Sequence, residues 1–115
     1  MQIMAHIWNV NSRVYMENKI SEILNAISHP NRIRILKELQ KEGMLCGCEM
    51  LPRLGLEQSN LSRHLSTLVK AGVLISWKDG VRMNYKIADE RIFDLIDLAE
   101  NISTERLSVR KSVVA

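Results

Sequence analysis

Gln58-Ser-Asn-Leu-Ser-Arg-His-Leu-Ser-Thr-Leu-Val-Lys70, closed by Ala71-Gly72, reads as a helix with two unlike faces. On a wheel of about 100° per residue, Leu61, Leu65 and Leu68 fall within about 60° of one another, with Val69 at the margin. Ser59, Arg63, Ser66 and Lys70 lie opposite. Small polar and cationic groups on a solvent face suit a major groove, since arginine bridges guanine acceptors while Ser, Asn and Thr bond to bases or phosphate. The candidate DNA contacts on this helix are Gln58, Ser59, Asn60, Ser62, Arg63, His64, Ser66, Thr67 and Lys70. His64 lies about 60° from the leucine stripe, which suits packing or a phosphate contact better than base reading.

Any surface helix has a polar face, so the flanking sequence carries the argument. Downstream, Val73–Lys78 and Val81–Ile87 read as strands joined by Asp79-Gly80, a strong hairpin signal. Lys78 and Arg82 flank its tip, placed to lie along phosphates or enter a minor groove. Trp77 and Tyr85 alternate with polar neighbours and read as sheet-face or core residues. Upstream, a short helix around Cys48–Leu54 is closed by Gly55, and the connection to Gln58 has the length of a helix-turn-helix turn. Pro52 is awkward there unless the helix starts close by.

Further out, Ile20, Ile23, Leu24 and Ile27 form the stripe of a first helix ending near His29-Pro30. A second helix spans about Asn31 to Lys41, with Ile33, Leu36 and Leu39 inward and Gly43 as its cap. A last helix opens at Asp89-Glu90 and carries Ile92, Leu95, Ile96, Ala99 and Ile102, widened by Phe93 and Leu98. That stripe exceeds what one small core needs, so the first and last helices are expected to bury surface in a homodimer. The expected fold is mainly α with a β-hairpin wing, a winged helix-turn-helix. Its expected divisions are an N-terminal arm over 1–12, one domain over 13–110 and a tail over 111–115. Ile3, Ile7 and Trp8 in the arm suit either a mobile segment or a helical turn packed on a partner.

Composition agrees with one domain: 115 residues and 46% apolar content support a single core. No apolar run approaches the roughly 20 residues of a bilayer span, and no signal pattern opens the chain, so a cytoplasmic protein is expected. The net charge of +3 is concentrated in the middle: residues 58–88 hold five basic side chains against one acidic.

Cys46-Gly47-Cys48 lies just ahead of the reading helix. A bridge closing so small a ring restricts the unfolded chain little, so the pair is expected as reduced thiols available for chemistry. Residues from about Ile23 to Ile87 resemble the ArsR/SmtB family of winged-helix repressors. The resemblance rests on Ala26-Ile-Ser-His-Pro-Asn-Arg-Ile-Arg-Ile-Leu36, Leu45-Cys-Gly-Cys-Glu-Met-Leu51, Leu61-Ser-Arg-His-Leu65, Leu68-Val-Lys-Ala-Gly-Val-Leu74 and Asn84-Tyr-Lys86. It implies a dimeric repressor of a palindromic operator that leaves double-stranded DNA when a metal or metalloid ion binds. It also implies that Cys46 and Cys48 are the metal ligands, on the Cys-x-Cys of arsenic- and cadmium-type sensors. Two departures matter: no third cysteine follows the pair, and residues 1–45 supply none. Residues 89–115 have no histidine, so zinc sensing of the last-helix type is not expected.

Soft thiolates favour As(III), Sb(III) or Cd(II), so no cofactor is obligatory and As(III) or another thiophilic ion is the expected inducer. On a regular helix residues i and i+2 point about 200° apart, so both sulfurs meet one ion only where the helix is unwound, and Gly47 is expected to permit that. The ion would fray the start of the third helix, shift the fourth and weaken operator binding. The third ligand is open: His6 of the partner subunit, an exogenous thiol or water.

Two other readings of the same residues stand beside this one. A redox or reactive-sulfur switch would use the same thiols in the same fold. A thiol–disulfide exchange protein would need Cys-x-x-Cys in βαβ units, and a glycine-rich phosphate loop or a nucleophile–base pair is missing too, so no enzyme is expected. A dimeric interaction module without DNA binding is the third class.

Overall fold

A computed structural model describes residues 10–114 of the chain. The candidate arm contacts Ile3, His6, Ile7 and Trp8 lie outside the described residues. Helix α1 spans Val10–Ile27, α2 Pro30–Glu42, strand β1 Met44–Cys46, α3 Gly47–Leu54 and α4 Gln58–Lys70. The wing is β2, Leu74–Asp79, with β3, Arg82–Ile87, and α5 runs Arg91–Val114. Residues 10–12 are therefore already helix, and 111–114 continue α5 rather than forming a tail.

His29 starts α2: its extended backbone leaves the helix path, its Nδ1 accepts from the Asn31 amide at 3.0 Å, and Pro30 fills the first helical position. Ile35, Leu36 and Leu39 of α2 are fully buried at the centre of the core. Around them pack Leu45, Met50 and Leu54, the α4 leucines 61, 65 and 68, Val73 and Leu74, and Ile92 and Ile96 of α5. The leucine stripe predicted on α4 is thus the face turned inward, which fixes the opposite face outward.

β1 was not legible as a strand in the sequence. Its three residues pair antiparallel with β3, Met44 with Lys86 and Cys46 with Asn84, in a sheet of order β1-β3-β2. The hairpin turn also falls one residue later than expected. Asp79 pairs with Arg82, leaving Gly80 and Val81 as the loop, with Gly80 at φ 64 and Val81 at the exposed tip. Glycine first in a two-residue loop is the type II′ pattern, which suits the strand twist.

α1 contributes only Ala26 to the buried core, and its Val14, Tyr15, Ile20, Ile23 and Leu24 are exposed. On α5 the same holds for Leu95, Leu98, Ile102, Leu107 and Val109. Of the stripe expected on the first helix, Ile20, Ile23 and Leu24 therefore point away from their own domain, while Ile27 packs against its core. Near its start, α5 is held to α2 by Lys37–Glu100 at 2.9 Å and by Gln40 donating to Asp97 at 3.1 Å. Among the described residues, no helix is long and apolar enough to cross a membrane.

Candidate DNA-reading face and the adjoining cysteine pair

Gly55 caps α3 in the left-handed region at φ 65, its amide donating to the Leu51 carbonyl, and three residues later α4 begins. Arg34 of α2 donates to the Leu54 carbonyl at 2.7 Å, fixing the end of α3. Pro52 lies inside α3, in its second turn, and has no amide hydrogen to give the Cys48 carbonyl. The turn between the two helices is consequently set by short-range backbone chemistry and one long side chain.

Of the reading-helix candidates, Gln58, Ser59, Ser62, Arg63, Ser66 and Lys70 are exposed, and Asn60 and Thr67 are half-buried. Arg63 Nη2 donates to Asn60 Oδ1 at 2.7 Å, holding the guanidinium along the exposed face. Thr67 donates its hydroxyl to the Arg63 carbonyl one turn back. Lys78 and Arg82 are exposed on the wing.

His64 is a correction. It is buried at 6% exposure, so it does not belong with the exposed candidates for DNA contact. Its Nδ1 accepts from Arg32 Nε at 3.2 Å, and its ring lies tilted 4.5 Å from that of His29. Burial first, then the neighbouring His29, Arg32 and Arg63, hold its pKa below the usual histidine value. A neutral imidazole accepting from arginine is a structural link between α2 and α4.

The cysteine pair is corrected in two respects. The structure joins Cys46 and Cys48 in a disulfide, where reduced thiols were expected. Nor does bringing the sulfurs together require an unwound helix. Cys46 is the residue before α3, with extended backbone at φ −78 and ψ 153, so the pair never has regular helical spacing and its Cα atoms lie 5.2 Å apart. Gly47 does not use left-handed backbone; the change of direction is made at Cys46 by the end of β1.

Cys46 is also the cap of α3. Its Sγ accepts from the Cys48 amide at 3.0 Å, while its own amide donates to Glu49 Oε1 at 2.9 Å, a reciprocal capping box. Glu49 Oε1 in turn accepts from Arg82 Nη2 at 3.0 Å, and that guanidinium lies 3.8 Å from Cys48 Sγ. The tip-flanking arginine of the wing is therefore tied to the helix that carries the cysteines. Sequence reasoning missed this link, because it depends on β3 crossing beside α3.

A family model described as "Bacterial regulatory protein, arsR family" matches residues 29–76, from the α2 cap into β2. The HTH-type transcriptional regulator Rv0081 of Mycobacterium tuberculosis is 37% identical over 94 residues, covering 82% of each chain. The chain belongs to the arsR family. Similar to it as well are the HTH-type transcriptional regulator MJ1325 of Methanocaldococcus jannaschii, 36% identical over 84 residues, 73% of this chain and 94% of that protein, and the cadmium resistance transcriptional regulatory protein CadC of Listeria innocua, 33% identical over 89 residues, 77% and 75%. The crystal structure of Rv0081 superposes with a TM-score of 0.72, covering 83% of this chain and 95% of that one. This arsR-family chain is a winged-helix DNA-binding transcription regulator and not an enzyme. The matched span contains both the cysteine pair and the reading helix.

Proposed function

We propose that this arsR-family regulator is a cytoplasmic homodimeric repressor of a palindromic operator. A soft metal or metalloid ion held by Cys46 and Cys48, with As(III) or Sb(III) favoured and Cd(II) possible, relieves that repression. One observation carries the reading: both sulfurs meet at the cap of α3, the helix that precedes α4 in the helix-turn-helix and is tied to the wing through Arg82.

Among the described residues no cluster of three or more His, Cys, Asp or Glu could hold a metal ion. The pair therefore supplies two thiolate donors once reduced, and a third comes from water, an exogenous thiol or His6 of the partner subunit. Two soft donors suit a thiophilic ion far better than a hard one. A relative named for cadmium resistance supports the same class of inducer.

An ion between the sulfurs competes with the Cys48 amide for Cys46 Sγ and so opens the capping box. Met50 and Leu54 of α3 pack in the same core as Leu61 and Leu65 of α4, so a displaced α3 moves the reading face. The switch works only if the ion binds more tightly to the conformation that fits DNA poorly. The apolar α1 and α5 faces supply the dimer surface.

A second reading, a redox switch on the same thiols, is favoured by the disulfide the structure holds. One experiment tests both: binding to DNA upstream of the protein's own gene, reduced and oxidised, with As(III), Cd(II) and Zn(II). The ion reading expects release by As(III) from reduced protein and none by Zn(II). Release by oxidant alone selects the redox reading, and no binding in any state contradicts both.

A further inference from the structure

We infer that the site takes a monosubstituted trivalent arsenical, R–As(III), in preference to the inorganic ion, with its organic group seated in the cleft beside the cysteines. This rests on the dithiol reading above and names its ligand more closely.

Trivalent arsenic forms three bonds, and the described residues offer it two sulfurs. In R–As(III) the third bond is already made to carbon, so two thiolates complete the shell without any further ligand. The structure also provides a place for R. Cys46 and Cys48 stand in the wall of a cleft of about 400 Å³ between α3, α4 and the wing. Leu51, Leu61, Leu65, Val81, Met83 and the Tyr85 ring add apolar surface to it. A bare ion leaves that surface against water, whereas an aryl or alkyl group covers it.

The exchange is balanced without a change of oxidation state at arsenic. The disulfide is first opened by a phosphine reductant, which takes oxygen from water as the two thiols form. The dithiol then reacts with R–As(OH)2: two As–O bonds break, two As–S bonds form, and the two thiol protons leave in two molecules of water.

The same cleft is lined by Gln58 and Ser62 of the reading face and by Arg82 of the wing. An occupant there lies against the elements proposed to hold DNA, so the organic group itself adds to the release.

Phenylarsine oxide and arsenite are the probes, titrated into full-length protein reduced with a phosphine, with binding read by calorimetry and operator release by fluorescence anisotropy. Burying much of one phenyl ring is expected to make phenylarsine oxide about tenfold to a hundredfold tighter than arsenite. Met83→Gln, with its fold checked by circular dichroism, is expected to shrink that preference severalfold and leave arsenite affinity unchanged. Val81→Ser, at the exposed edge of the cleft, is a milder second variant with an effect in the same direction. Equal affinity for the two probes, or a preference that neither variant reduces, overturns this inference while leaving the dithiol site intact. Failure of both probes to bind wild type, or equal binding to the Cys46→Ser, Cys48→Ser double variant, overturns the dithiol reading itself.

Discussion

Replacing Arg82 with alanine separates its ion pair with Glu49 from its proposed contact with DNA. Its side chain is about half exposed at 52%, and its guanidinium donates to Glu49, whose side chain is 42% exposed, and lies 3.8 Å from Cys48 Sγ. A pair this accessible contributes under about 1 kcal/mol to folding, so Arg82→Ala should barely move the unfolding midpoint. DNA binding should respond more. If each protomer sets one Arg82 on a phosphate, the dimer loses two released counterions. The plot of log K against log salt then becomes shallower by about 2. Between 50 and 200 mM salt the variant would lose about tenfold less affinity than wild type. Glu49→Gln should act in the opposite sense, freeing the guanidinium for DNA and raising affinity at low salt, while weakening the α3 cap. The assay is fluorescence anisotropy on a labelled operator at four salt concentrations. An unchanged slope in Arg82→Ala would refute the wing contact and leave Arg82 as an anchor for α3 alone.

Further expectations follow from individual side chains. Gly47 has no positive φ, and a β-carbon there would meet Tyr85 Cε2 at an ordinary 3.8 Å, so Gly47→Ala should be neutral or stabilise by about 0.4–1 kcal/mol in urea unfolding and leave operator affinity unchanged. Leu36 is fully buried, and Leu36→Ala should cost about 2–5 kcal/mol, read from urea unfolding at fixed protomer concentration. His64 has a folded pKa below its ordinary 6.5, so its neutral form is favoured by folding. The stabilisation is complete above 6.5 and is lost as pH falls through that value towards the folded pKa, because the unfolded chain takes up the proton first. Melting temperatures of wild type and His64→Asn from pH 8 to 5 should therefore converge on the acid side.

Much of this arrangement was open to reading in the chain, and the failures have a common cause. The α4 wheel gave both the buried leucines and the outward Arg63, since one helix carries its own periodicity. The position of His64, off the leucine stripe, already favoured packing, but its partners on Arg32 and His29 come from another helix. β1 is three residues long and has no period of its own; only its pairing with Asn84–Lys86 makes it a strand. That hidden strand is why the cysteine geometry was misjudged. Treated as helix, Cys46 and Cys48 diverge; with Cys46 at a strand end they converge. The Asp79-Gly80 signal identified the hairpin yet placed its turn one residue early, because register depends on where the partner strand begins. The α1 stripe was read as apolar, helical and partly turned to a partner, and Ile20, Ile23 and Leu24 are indeed exposed, while Ile27 packs against the core of its own domain.

The most direct test is the operator affinity of the reduced dimer with and without a stoichiometric trivalent arsenical, for wild type beside the Cys46→Ser, Cys48→Ser double variant. Wild type is expected to lose at least about tenfold in affinity, a coupling within the usual allosteric range, and the variant to lose none. Equal affinity with and without the arsenical in wild type, or the same loss in both proteins, would contradict the cysteine pair as the sensor.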